Sequence, residues 1–174
     1  LFLYYIYNGS RELLTSDATK ALSLTATSLS RASRQLEEMG LLKTEKRGVQ
    51  KAVFSDKKPK ELFESAKSDL MNPVKRTVYV PKSLIKEKLL MSSYSALSDY
   101  SMINPETVKS FATDSISKWE KKASSRLQNS DEQYAVELWR YDPKKLSAGK
   151  CVDRLSLALA LRDNKDERIE DAVE

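Results

Sequence analysis

The chain has 174 residues, of which 40% are hydrophobic and 32% charged, with only 4 Gly and 5 Pro. That mixture belongs to a folded globular chain of one large or two small domains and leaves little room for long linkers. The total charge is +5 with no histidine and one cysteine, Cys151. Those absences exclude Ser-His triads, His-containing zinc sites and an internal disulfide.

No apolar run approaches the roughly 20 residues that span a bilayer. The opening LFLYYIY lacks the basic flank and cleavage site of a signal peptide. The lone cysteine fits a reducing compartment, so a cytoplasmic protein is expected. A start without Met and a finish inside the helix-like DERIEDAVE predict a piece of a longer chain.

The charge is segregated. Residues 1–60 hold 11 Lys/Arg against 6 Asp/Glu, and residues 61–174 hold 19 of each. A neutral body with a locally basic module is the electrostatic pattern of a nucleic-acid binder.

In chain order, Leu1–Tyr7 predicts a helix closed by Asn8-Gly9, and Arg11–Leu14 a small strand. After Thr15, Ser16-Asp17-Ala18 supplies an N-cap and then a first-turn acid for a short helix to about Leu22. Ser23-Leu24 breaks it, and Thr25 caps a second helix, Ala26–Met39, ending at Gly40. Leu29, Ala32, Leu36 and Met39 share one face of that helix and predict its buried side. Thr25, Thr27, Ser28, Ser30, Arg31, Arg34 and Gln35 are then left to face a partner. Arg pairs bidentately with guanine edges or phosphate, and hydroxyls suit either. Leu41–Lys46, a turn at Arg47-Gly48 and Val49–Phe54 predict a hairpin. Its tip carries Lys46, Arg47, Gln50 and Lys51, expected to hold phosphates.

The run ALSLTATSLSRASRQLEEMGLLKTEKRG resembles the helix-turn-helix and wing of MarR-type winged-helix regulators. The likeness covers residues 1 to about 55 and rests on the Ser30-Arg31 pair and the Leu36-Glu37-Glu38-Met39-Gly40-Leu41-Leu42 junction. It implies sequence-specific binding of double-stranded DNA. The long dimerisation helices usual in that family have no counterpart after Phe54, so its dimer arrangement does not carry over.

Further along, Pro59 opens a helix to about Met71, and Val74–Val80 reads as a strand. Lys82–Met91 predicts a helix, followed by a Ser/Tyr-rich stretch to Asn104-Pro105. Val108–Thr113 reads as a strand, Ser115–Leu127 as a helix around Trp119, and Ala135–Tyr141 as a strand. Asp153–Arg162 predicts a buried helix, and Asp166 starts a last one. SALSDYSMI and VELWRYDPKKLSAGKCVDRLSLALALRDNKDERIEDA resemble the C-terminal domain of bacterial helix-turn-helix proteins akin to abortive-infection (AbiEi-type) antitoxins, across residues 92–174. That resemblance implies a repressor that also serves as the antitoxin of a toxin pair.

The expected fold is therefore α+β, with a winged helix-turn-helix over 1–56 and an α+β regulatory or interaction domain over 57–174. A transcriptional repressor is the expected function, and a protein-interaction module or antitoxin is the alternative. Duplex DNA, a second copy in a homodimer and a cognate toxin are the expected partners. Among Glu137, Asp142, Asp153 and Asp163 a Mg²⁺-dependent nuclease site is the weakest alternative. Turn and cap roles explain those carboxylates better, so no catalytic residue, metal or cofactor is expected.

Overall fold

The computed structural model describes residues 1–9, 11–104 and 106–164. It is a mixed α+β chain with six α-helices and two sheets among those residues, and it divides into two compact units, Leu1–Leu70 and Met71–Glu174. The helix expected from Asp166 lies outside the described residues.

The first unit runs α1 (Phe2–Tyr7), β1 (Leu13–Leu14), α2 (Thr15–Leu22), α3 (Ala26–Glu38), β2 (Lys43–Arg47), β3 (Gln50–Phe54) and α4 (Pro59–Ala66). Its sheet has the order β1-β3-β2, antiparallel throughout. The central strand β3 pairs Val53 with both Leu13 and Thr44. Ser23 adopts a left-handed φ of 54° and ends α2, and Gly40, at φ 69°, ends α3. Tyr5, Leu29, Leu42, Val53 and Leu62 are almost wholly buried, each worth roughly 1.5–3 kcal/mol of transfer free energy. The Tyr5 hydroxyl accepts the Ser55 N–H at 2.8 Å, so the buried phenol keeps a partner.

Three details of this unit depart from expectation. The boundary lies near Leu70 rather than at residue 56, because α4 buries Leu62, Phe63 and Ala66 and packs on α1. Ser16 does not cap α2: the helix already begins at Thr15, Leu14 holds the cap position, and Thr15 Oγ1 donates to the Lys51 carbonyl at 3.1 Å. On α3 the buried face is Leu29, Ser33 and Leu36. Met39 is 40% exposed because the helix stops at Glu38 and Gly40 turns the chain, so Leu41 and Leu42 fill the core in its place. Ser33 is buried without cost because its hydroxyl donates to the Leu29 carbonyl at 3.0 Å.

The second unit contains β4 (Val74–Pro81), β5 (Leu90–Met91), α5 (Ser93–Tyr100), β6 (Ser110–Thr113), β7 (Gln133–Trp139) and α6 (Arg154–Leu161). Its sheet order is β4-β7-β6-β5, with β6 parallel to β7 and the other two pairings antiparallel. Side chains of β7 alternate between two cores. Trp139 joins Leu97, Val152 and Leu157, while Val136 and Leu138 join Val80, Ile116 and Trp119. Asp153 caps α6 by accepting the Ser156 N–H at 2.9 Å.

Two expected helices are absent here. Lys82–Met91 forms one 3₁₀ turn (Lys82–Leu84) and then β5, because Leu90 pairs with Ala112 and is buried in the sheet. Ser115–Leu127 keeps only a 3₁₀ turn (Glu120–Lys122). Ser124 is drawn to the sheet by two hydrogen bonds with Tyr79 at 2.8 and 2.9 Å, and the Trp119 indole N–H donates to the Leu84 carbonyl. Conversely, the Ser/Tyr-rich stretch forms α5. There, buried Ala96 and Leu97 and the Ser95 hydroxyl accepting the Ser110 N–H outweigh poor serine propensity.

Candidate functional site

The side chains expected to face a partner occupy one surface of the first unit. At about 100° per residue, Thr27, Ser28, Ser30, Arg31, Arg34 and Gln35 span an arc of roughly 160° on α3. That arc is centred opposite Leu29, Ser33 and Leu36. All six are exposed, as is Thr25 at the helix start. Arg31 and Arg34 point outward, not into the core.

The hydroxyls at the N-terminus are already organised. Thr25 Oγ1 accepts the Ser28 N–H at 3.1 Å and donates to Ser28 Oγ at 2.9 Å. The Ser28 hydroxyl proton is therefore free to donate to an external acceptor.

The β2–β3 hairpin closes through Gly48-Val49, with Gly48 at φ 64°, a left-handed value suited to a tight hairpin. Lys46 stands opposite Lys51, and Arg47 opposite Gln50. The four expected tip residues are all exposed, but their electrostatics differ. Arg47 is neutralised inside the unit: Nε and Nη2 meet the Glu12 carboxylate at 2.7 and 3.1 Å, and Nη1 meets Glu45 at 2.5 Å. Among the described residues, neither Lys46 nor Lys51 has a carboxylate partner. Like charges directly across an antiparallel pair are unfavourable. Gln50 accepts a long hydrogen bond from Ser16 at 3.4 Å through its amide oxygen, which leaves its NH₂ for other acceptors.

Helices α2 and α3 and the hairpin enclose a groove of about 630 Å³. Lys20, Ser30, Arg34, Gln50 and Lys51 line it, and among the described residues Glu37 is its one acid. The Glu37 carboxylate is occupied in part by the Thr44 N–H at 3.2 Å. Lys20 was not among the expected contact residues; its place in the last turn of α2, next to the helix-turn-helix corner, is the signal that marks it.

The carboxylates weighed as nuclease ligands have other duties. Asp142 accepts the Lys144 N–H and Asp153 caps α6. Asp163 lies beside Arg162 at 3.8 Å. Glu137 is buried and accepts the Trp139 indole N–H at 3.0 Å, and burial pushes its carboxyl above the ordinary range. Among the described residues no group of three or more His, Cys, Asp or Glu is placed to hold a metal, and no helix is long and apolar enough to cross a membrane. Trp119 and Trp139 are buried in the two cores of the second unit, and Tyr141 packs edge-on against Trp139 at 5.7 Å between centroids.

No family model, no curated protein and no solved structure matches the chain.

Proposed function

We propose that the first unit is a winged helix-turn-helix that binds duplex DNA, and that the protein is a transcriptional regulator acting as a repressor. In this reading α3 enters the major groove. Thr27, Ser28, Ser30, Arg31, Arg34 and Gln35 would face base edges and flanking phosphates. The hairpin is the wing, and Lys46 and Lys51 hold backbone phosphates. Thr25 serves through its cap, which fixes the helix start, rather than as a direct contact.

The observation that carries the reading is the Lys46–Lys51 pair: two lysines at directly paired positions of one hairpin, neither with a carboxylate partner among the described residues. A fold gains nothing by opposing them, and a polyanion lying along the hairpin gives both a partner. The order α1-β1-α2-α3-β2-β3, with β3 between β1 and β2, also matches what a winged helix requires.

Electrophoretic mobility shift on the duplex upstream of the protein's own reading frame tests the proposal. Arg31→Ala and Arg34→Ala should each cost roughly 1–3 kcal/mol on the specific site where the arginine reads a base. Unchanged affinity in both variants and in the lysine variants described below removes the proposed surface.

A further inference from the structure

The second unit holds a separate crevice at the carboxyl ends of β6 and β7, and we propose that it binds a small zwitterion of the α-amino acid class. The two strands are the parallel pair of the sheet and end at Thr113 and Trp139. Ligands in sheets with parallel strands commonly sit where the loops leave those ends. The loops here, from Asp114 to Ser115 and from Asp142 to Lys144, wall a cavity of about 180 Å³. That volume is far above the ~10–15 Å³ needed for one water. It is below the ~300 Å³ at which drug-sized pockets begin. A molecule of amino-acid size is what fits.

The charges choose the class. Asp114 and Lys144 both line the cavity, and among the described residues neither side chain has a hydrogen-bond or ion-pair partner. Asp142 adds a second carboxylate, with one oxygen accepting the Lys144 backbone N–H at 2.9 Å. The remaining ionic pair on the wall, Lys118 with Glu87 at 2.9 Å, is self-neutralising. One ammonium and two carboxylates, none of them ion-paired among the described residues, face a single small space and match a ligand carrying both signs. Its ammonium meets Asp114 and Asp142, and its carboxylate meets Lys144. Leu89, Ala112 and Pro143, all buried, supply an apolar wall for a short side chain.

The loops are pre-ordered, which lowers the entropic cost of binding. Thr113 Oγ1 accepts the Ser115 N–H at 3.3 Å and donates to the Ser115 carbonyl at 3.1 Å. The Asp142 side chain holds the other loop in the same manner.

Isothermal titration of the whole chain with L-alanine, L-serine and L-valine tests this, with propionate and ethylamine as single-charge controls. At least one of the three should bind saturably and raise the melting temperature, and both controls should bind at least tenfold more weakly. Asp114→Asn and Lys144→Gln should each weaken the amino acid at least tenfold. Their unliganded melting temperatures should stay unchanged, since both side chains are exposed and have no partner among the described residues. Three results overturn the proposal: no saturable binding by any of the three at millimolar concentration, controls as tight as the amino acid, or variants with the parent affinity. None of these results bears on DNA binding by the first unit.

Discussion

Lys46 faces Lys51 directly across the β2–β3 hairpin, and one residue along the strand Arg47 is already held by Glu12 and Glu45. Three basic residues at one tip are thus unequal. Two carry charge available to a partner, and the third carries a guanidinium spent on the fold. If phosphate binding resides at this hairpin, its strength should follow the lysines.

Lys46→Ala and Lys51→Ala should weaken binding to every duplex by a similar factor and lower the salt slope by about one ion each. Fluorescence anisotropy over a salt series measures both quantities. Removing one lysine also relieves the cross-strand repulsion, so neither variant should be less stable than the parent.

Arg47→Ala should change the salt slope less than either lysine variant, because Glu12 and Glu45 already offset its charge. Glu12→Gln should strengthen DNA binding by freeing the guanidinium. An Arg47→Ala slope loss as large as that of Lys46→Ala would show that the ion pairs open on the DNA.

Tyr141 and Ser156 share a hydrogen bond of 2.6 Å between hydroxyls, and Ser156 is fully buried at the start of α6. Tyr141→Phe should destabilise the second unit by about 1–2 kcal/mol, because Ser156 loses that partner inside the protein. Adding Ser156→Ala should recover part of that loss, and urea denaturation of the single and double variants measures the coupling.

Glu137 sits in the sheet with its carboxyl pushed up first by burial, an effect that the Trp139 indole N–H partly offsets. A carboxyl raised in the folded state keeps a proton that the unfolded chain gives up. Stability should therefore fall as pH rises from the ordinary carboxylate range through the folded value. Glu137→Gln, which can still accept the indole N–H, should remove that dependence. Its melting temperature should exceed the parent's by a margin that grows as pH rises from the ordinary carboxylate range through the folded value. A constant margin would place the pH dependence elsewhere; Glu106, whose carboxyl is raised by burial and then by the charge of Glu137, is the first candidate.

Local chemistry made much of the first unit legible. Thr25 before a polar helix, Gly40 after it and Gly48 in a tight turn are backbone requirements that only a few residue types meet, so α3 and the hairpin stand where their residues predict. The outward surface of α3 followed from the same periodicity, although Ser33 rather than Met39 completes its buried face. The strands β4 and β7 were legible for a similar reason, since β-branched and aromatic alternation marks a half-buried strand.

What depended on residues far apart in the chain was decided only by the tertiary structure. Leu90 is strand because Ala112 is beside it, and the segment around Trp119 is not a helix because Tyr79 pulls Ser124 to the sheet. Arg47 is neutral in effect because Glu12, 35 residues earlier, lies within reach. Asp114 and Lys144 share a cavity because β6 and β7 run parallel. The amino-acid order carries propensity and charge at each position. Pairing energy, and with it the sign and availability of a surface charge, depends on distances that arise only once the chain has folded.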